Sequence, residues 1–167
     1  ILLTVFFFTE TNKEKDPNAL NPKQVLENFT KISKNRIFLI YATIGSITMS
    51  SLYGFLAISS DLLINQLQQT PATFAWQFAI VGTGSLVGSF ISARLSIKYG
   101  INGVIKLGLT ITAFASVSFL ILHIFGIFTA AAIVAPFTFQ RIGEAMISAQ
   151  STAGAITPFP RKAGAAS

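Results

Sequence analysis

The chain has 167 residues, of which 51% are hydrophobic and only 11% are charged, and its mean hydropathy is +0.63. This balance is typical of a protein that resides in a lipid bilayer, and it excludes an ordinary water-soluble domain. The formal net charge is +6, there is no cysteine for a disulfide or a thiolate metal site, and the single histidine leaves little for any other metal site.

The chain opens with the apolar run ILLTVFFF, which is too short to cross a bilayer and lacks a basic flank. We therefore expect the last turns of a truncated membrane helix over residues 1–8 and no signal peptide. Residues 9–36 follow as a predicted cytoplasmic linker. Within it, Asn21 is a candidate N-cap and Pro22 a first-turn residue of an amphipathic helix along the membrane surface. The alternative is an ordinary connector without a regulatory role. The apolar face of this helix comprises Val25, Leu26, Phe29 and Ile32.

Four apolar runs are long enough to cross the hydrocarbon layer as helices, which satisfy their own backbone hydrogen bonds there. Pro71 suits the first turn of the second of these helices. After the fourth run, residues 157–167 are predicted to form a cytoplasmic turn and the start of another helix. The four predicted membrane helices are 37–58, 72–93, 104–125 and 128–156.

Lysine and arginine alternate between the segments that join these runs. Six of the twelve lie in residues 9–36, three in 94–106 and two after residue 156, whereas 59–71 and 126–127 hold none. The positive-inside rule assigns the basic segments to the cytoplasm and the neutral ones to the outside. We therefore expect a multi-pass protein of the plasma (bacterial inner) membrane. Its net charge is explained by topology and anionic lipid, without a nucleic-acid partner.

The remaining cation, Arg141, lies about 20 Å from the outer end of the fourth run, near the bilayer centre. An unpaired arginine there costs roughly 2.5–3.5 kcal/mol on insertion scales. Glu144 follows on the same helical face, and Gln140 begins a polar stripe that includes both acidic and amide groups. We expect Gln140, Arg141 and Glu144 to line a solute or proton pathway, and the alternative is a structural pair between helices. Pro136 can bend this helix. The stripe continues through Ser148 and through Ser151 or Thr152.

Two further patterns occur in the first two runs. Small residues recur every four positions at Gly84, Gly88 and Ser92, which predicts close helix packing. Several aromatic residues are candidates for stacking on a flat or cationic solute, although Tyr41 and Trp76 also suit interfacial anchoring. These candidates are Tyr41, Tyr53, Phe55, and Trp76 with Gln77. No nucleophile–base set, zinc-protease motif or phosphate loop supports an enzyme, and we expect no metal site.

With the helices placed, four stretches together resemble the carboxy-terminal half of a major facilitator superfamily transporter, of the Bcr/CflA drug-resistance type. FFFTET resembles the end of the sixth helix and NRIFLIYATIGSITMSSLYGFLAISS the seventh. QQTPATFAWQFAIVGTGSLVGSFISARLSIKYG resembles the eighth helix and the second copy of the family's loop motif, which here lacks its acidic member. SAQSTAGAITPFPRKAGAAS resembles the end of the tenth helix, with Gln150 where relatives often have Asn, and its FP..AG.AS turn is the most specific signal. The loop-motif residues are Gly88, Arg94, Lys98 and Gly100.

The resemblance implies an all-α integral membrane protein, a partial major-facilitator bundle with the end of helix six, helices seven to ten and the start of helix eleven. It implies a carrier that uses the proton gradient and no cofactor, with a small-molecule substrate, protons, the lipid bilayer and an N-terminal half of the same chain as partners. We expect proton-coupled efflux of drug-like or amphipathic molecules, with Gln150, Tyr53 and Gln77 as further pathway candidates. Two alternatives stay open: a carrier of this fold for a metabolite, and a membrane subunit without transport activity.

Overall fold

The computed structural model describes residues 22–159, and this part of the chain contains helices and no strand. The all-α fold class is therefore confirmed. The predictions for residues 1–8, for the linker up to the Asn21 cap and for residues 160–167 lie outside the described residues. The helices are α1 (Pro22–Ser33), α2 (Arg36–Ser60), α3 (Pro71–Ile124) and α4 (Ala130–Ile156), and a π-helical turn, Asp61–Gln66, follows α2.

Side-chain caps fix where three of these helices begin. The side-chain oxygen of Asn35 accepts hydrogen bonds from the first free backbone N–H groups of α2, at 2.9 and 3.1 Å. Thr70 caps α3 in the same way, and Pro71 follows in the first turn, where a missing N–H costs nothing, as predicted. Thr129 caps α4, so the helix begins at Ala130, two residues later than the apolar run.

Helical structure extends further than hydropathy predicts. The predicted loop over 59–71 contains the end of α2 and the π-helical turn. The basic stretch 94–106, also predicted as a loop between membrane helices, is helical except at Gly100, where φ is +64° and ψ is 178°. Glycine adopts this backbone conformation at little cost, so one residue suffices for the kink. Polar side chains end an apolar run without ending a helix, because the helical hydrogen bonds are intrinsic to the backbone. The loop prediction for 94–106 is thereby corrected.

We call the segments on either side of Gly100 α3a (71–99) and α3b (101–124). A single helix of 54 residues would be about 80 Å long, far more than the hydrocarbon layer, so the kink is what allows both segments to lie in one membrane. By length and hydropathy, Arg36–Gln66 and Pro71–Ile124 are candidate membrane spans. Large apolar side chains stand on their outer surfaces, with Phe114 75% exposed. The prediction of four separate spans, including α4, stays a prediction.

Helix α4 packs against both α2 and α3, and the contacts distinguish two ends of the bundle. At one end, the Tyr41 hydroxyl of α2 donates to the side-chain oxygen of Asn102 in α3b at 2.7 Å, and the Tyr41 ring lies against Gly154 of α4. The basic residues of 94–106 belong to this end, since they flank the kink beside Asn102.

At the other end, Phe55 of α2 stacks on Phe137 of α4 with 3.5 Å between ring centroids. Buried Leu63, from the turn after α2, belongs to the same apolar cluster. Phe55 is only 7% exposed, so it is a core residue, which corrects the expectation that it stacks on a solute. Asp61 begins the turn that carries Leu63 and therefore lies at this end. Basic residues and Asp61 thus occupy opposite ends of the bundle, the arrangement that the alternation of charges along the sequence predicts.

A candidate site on the central helix

The central feature of α4 is an ion pair between Arg141 and Glu144, one helical turn apart. The Glu144 side chain is 3% exposed and that of Arg141 is 12% exposed. Arg141 donates through Nη1 to one carboxylate oxygen of Glu144 and through Nη2 to the hydroxyl of Ser85 on α3a, at 3.1 Å. Gln140 donates to the other carboxylate oxygen at 3.0 Å and to the hydroxyl of Ser51 on α2 at 2.9 Å. We call these five residues the ionic cluster.

The ionic cluster satisfies both the charge and the geometry that burial demands. Each carboxylate oxygen of Glu144 accepts a hydrogen bond, and the two opposite charges neutralise each other within α4. The bonds to the two serine hydroxyls attach the cluster to α2 and α3a. The structure therefore brings Gln140, Arg141 and Glu144 together as the polar stripe predicts. Whether they carry protons or only join helices stays a prediction, because both roles need this arrangement.

Sequence reasoning did not identify the two serine partners. Ser85 lies beside the row of small residues, whose spacing predicts only packing, and Ser51 carries no signal of its own because serine is common in membrane helices. Only the position of α4 between α2 and α3a shows that the Ser51 hydroxyl accepts from Gln140 and the Ser85 hydroxyl from Arg141.

Glycines allow α3a to approach α4 closely enough for this contact. A methyl group added at Gly84 would lie 2.5 Å from the backbone oxygen of Thr138, and one at Gly88 would collide with the backbone oxygen of Ile142. The prediction that the small-residue row packs against a neighbouring helix is therefore confirmed.

A second close approach joins α4 to α3b. A methyl group at Gly108 would lie 2.8 Å from the backbone oxygen of Gly143, and the reverse change would bring a methyl group to 2.6 Å from the oxygen of Gly108. We call the two sets of contacts, at Gly84 and Gly88 and at Gly108 and Gly143, the glycine seam. Further along, Gln150 is 7% exposed and donates to the hydroxyl of Ser92 in α3a at 2.9 Å. It thus extends the seam and is not part of the ionic cluster.

A cavity of about 470 Å³ lies between α2 and α4. Tyr53, a predicted pathway residue, is 66% exposed and lines it. Aromatic, thioether and hydroxyl groups make up most of the remaining wall. They are contributed by Phe38, Tyr41, Ser46, Met49, Ser50, Ser148, Ser151 and Thr152.

Gln77 lies elsewhere. It lines a separate groove between α3a and α4, next to Val134 and Thr138, and its side-chain oxygen is buried without a hydrogen-bond partner among the described residues. The structure does not bring it to the ionic cluster or to the cavity beside Tyr53.

The loop-motif residues follow α3a towards the kink. Gly88 belongs to the glycine seam, and Gly100 forms the kink itself. Between them, the Arg94 guanidinium stands 5.0 Å from the centre of the Phe90 ring and the Lys98 ammonium 5.3 Å from that of Tyr99. Both cations are exposed, so these contacts are weak local cation–π interactions at the basic end of the bundle.

Helices with apolar outer surfaces around a buried, paired charge define a helical membrane protein. A family model described as Major Facilitator Superfamily matches residues 1–167, and the chain therefore belongs to this family of secondary transporters, which are not enzymes. A search of curated proteins and a search of solved structures each found no match to this chain.

Proposed function

We propose that the chain acts in a proton-coupled transporter of the Bcr/CflA type, which exports drug-like, amphipathic small molecules across the bacterial inner membrane. Membership of the superfamily accounts for secondary transport in general. The direction of transport, the class of solute, the coupling to protons and the location in the bacterial inner membrane go beyond this membership and make up the proposal. The sequence pattern FP..AG.AS at residues 159–167 supports the subtype.

The observation that carries the proposal is the Glu144 carboxylate, which is buried near the middle of the central helix with Arg141 as its ionic partner. A titratable group at such a position costs free energy, and carriers use groups of this kind as proton sites. Protonation of Glu144 would remove its negative charge and leave the guanidinium of Arg141 without a counter-charge. The ionic cluster would then have two charge states with different preferred partners, and a carrier driven by protons requires two such states.

The cavity between α2 and α4 supports the solute class. Its volume lies in the range of pockets that hold drug-sized molecules, and Tyr53 contributes an aromatic ring with a polar tip to its wall. Ser148 lines the same cavity one turn along α4 from Glu144, so a solute bound there would lie beside the residue that we propose carries the proton.

Dye accumulation in a deletion strain tests the proposal. Cells that carry the full-length protein should accumulate less of an aromatic dye than cells without it, and a protonophore should abolish the difference. Glu144→Gln should lose export per molecule of protein in the membrane, with export normalised to the protein level, because the amide keeps the size of the side chain and removes its protonation. Glu27→Gln, the same change on the exposed surface of α1, is the matched control and should transport like the wild type.

Two results would contradict the proposal. If Glu144→Gln exports normally, Glu144 has no part in the coupling. If the protein changes neither dye accumulation nor drug tolerance, and any flux is insensitive to the protonophore, the exporter proposal is wrong, and a metabolite carrier or a subunit without transport activity takes its place.

A further inference from the structure

A single side-chain amide joins the ionic cluster to α2. The nitrogen of Gln140 donates to a carboxylate oxygen of Glu144 at 3.0 Å and to the hydroxyl of Ser51 at 2.9 Å, so one of its hydrogens serves α4 and the other serves α2. Within residues 22–159, no other hydrogen bond joins α2 to α4, and the two helices otherwise meet through aromatic rings and small residues. The polar contact between α2 and α4 therefore depends on how the Gln140 amide is held.

Arg141 is the charged residue that Glu144 faces, and α4 has no other. The one charged residue of α2 is Arg36 at its first position, about four helical turns from Ser51. Tyrosine, the other titratable residue type of α2, is uncharged at neutral pH. A proton on Glu144 is therefore the change of charge to which the bond between Gln140 and Ser51 is directly exposed. The charged or titratable residues of α3 all have exposed side chains, and they are Arg94, Lys98, Tyr99, Lys106 and His123.

The charge of Glu144 determines how firmly the Gln140 amide is held. A hydrogen bond to an ionised carboxylate is roughly twice as strong as one to a neutral acceptor, so protonation of Glu144 weakens the bond that orients the amide. An amide that is free to rotate no longer keeps its second hydrogen directed at Ser51. Tyr53 follows Ser51 by two residues and lines the cavity between α2 and α4, so a displacement of α2 reaches the cavity wall.

We propose that Gln140 is a positioning residue that transmits the charge of Glu144 to α2. With Glu144 ionised, the amide is fixed between the carboxylate and Ser51 and holds α2 against α4. With Glu144 protonated, the bond to Ser51 is lost and α2 moves away from α4. The cavity beside Tyr53 then changes shape when the proton binds. The inference deepens the proposed function and rests on it for Glu144 as the proton site.

Distances between spin labels measure this movement. The full-length protein, without other cysteines, carries one label on α2 at Ile47 and one on α3b at Val117, which are exposed positions outside the cavity. Double electron–electron resonance is recorded in lipid nanodiscs at about pH 8 and about pH 5. We expect the mean distance to be about 2 Å longer at the lower pH, which is the scale of helix shifts in switching proteins.

Three variants assign the movement to the link through Gln140. Ser51→Ala removes the acceptor on α2 and leaves the ion pair intact, so it should show the long distance at both pH values. Gln140→Leu should behave in the same way, because it removes the donor of the same bond. Glu144→Gln has no proton to lose and should show one distance at both pH values.

Thr48→Val is the matched control, because the Thr48 hydroxyl on α2 bonds the backbone oxygen of Ile44 in its own helix at 2.8 Å. It should keep the wild-type response to pH. A second pair of labels, at Leu86 of α3a and Val117 of α3b, should show no response. Titration of His123 on α3b would act on both pairs, since they share Val117, and an equal change in the two pairs would overturn the inference.

The inference is also overturned if the wild-type distance is the same at both pH values, or if Ser51→Ala or Gln140→Leu keeps the wild-type response. If Ser51→Ala responds to pH and Glu144→Gln does not, Glu144 is still the proton site and only the link through Gln140 is wrong. Failure of the proposed function has a different signature, because export by the wild type would then be insensitive to the protonophore.

Discussion

The ionic cluster makes a quantitative prediction about stability. Arg141→Met would leave the buried carboxylate of Glu144 with only the hydrogen bond from Gln140 among the residues that the structure describes. Removing one partner of a buried ion pair typically costs about 3–5 kcal/mol, so we expect this variant and Glu144→Gln each to lose about 3 kcal/mol of unfolding free energy. The double variant removes both charges and should lose no more than either single one. The coupling free energy is then about 3 kcal/mol.

The cycle is measured by unfolding the purified protein in mixed micelles with increasing SDS, followed by far-ultraviolet circular dichroism. Arg94→Met is the control, because the exposed guanidinium of Arg94 has only its contact with the Phe90 ring within residues 22–159, and its loss should cost no more than about 1 kcal/mol. Additive losses in the double variant would refute the reasoning, since they would mean that Arg141 and Glu144 do not stabilise each other.

Two further predictions concern packing and orientation. Gly88→Ala should destabilise the protein by about 1–3 kcal/mol, because its methyl group meets a backbone oxygen. A methyl group at Gly82 on the same helix has nothing within 4 Å, so Gly82→Ala should stabilise the protein by about 0.5–1 kcal/mol. If both variants change the unfolding free energy in the same direction, the close packing at the glycine seam is contradicted. Because the chain has no cysteine, single cysteines at Asp61 and Lys98 are labelled selectively by an impermeant maleimide. We expect the two to react from opposite sides of the membrane, and reaction from one side alone would contradict the predicted topology.

Hydropathy and charge predicted where the helices lie, but not where they end. The apolar runs reflect contact with lipid, and a helix continues beyond them for as long as its backbone hydrogen bonds can form. For this reason 94–106 was predicted as a loop although only Gly100 departs from helical geometry. The caps at Thr70 and Thr129 mark the true helix starts, and Thr129 shows that a cap defines a start more closely than hydropathy does.

The candidate site, too, could be predicted from the sequence only in part. The adjacency of Arg141 and Glu144 follows from helical periodicity, which sequence spacing reports directly. The partners on other helices do not follow, because they depend on how α2 and α3a lie against α4. Phe55 is an example. Its aromatic ring could stack on a solute or pack in the core, and only the stacked Phe137 ring in the structure shows that it packs in the core.

The glycine seam has a mechanical consequence. Interdigitated side chains can change rotamer when two helices slide past each other. A backbone oxygen in contact with a glycine has no such freedom. We therefore expect α3a and α3b to resist sliding along α4. Helix α2 meets α4 through rings and hydroxyls, such as Tyr41 on Gly154 and Ser51 with Gln140, which are more compliant. We therefore expect thermal motion to displace α2 against a stiff block of the other three helical segments.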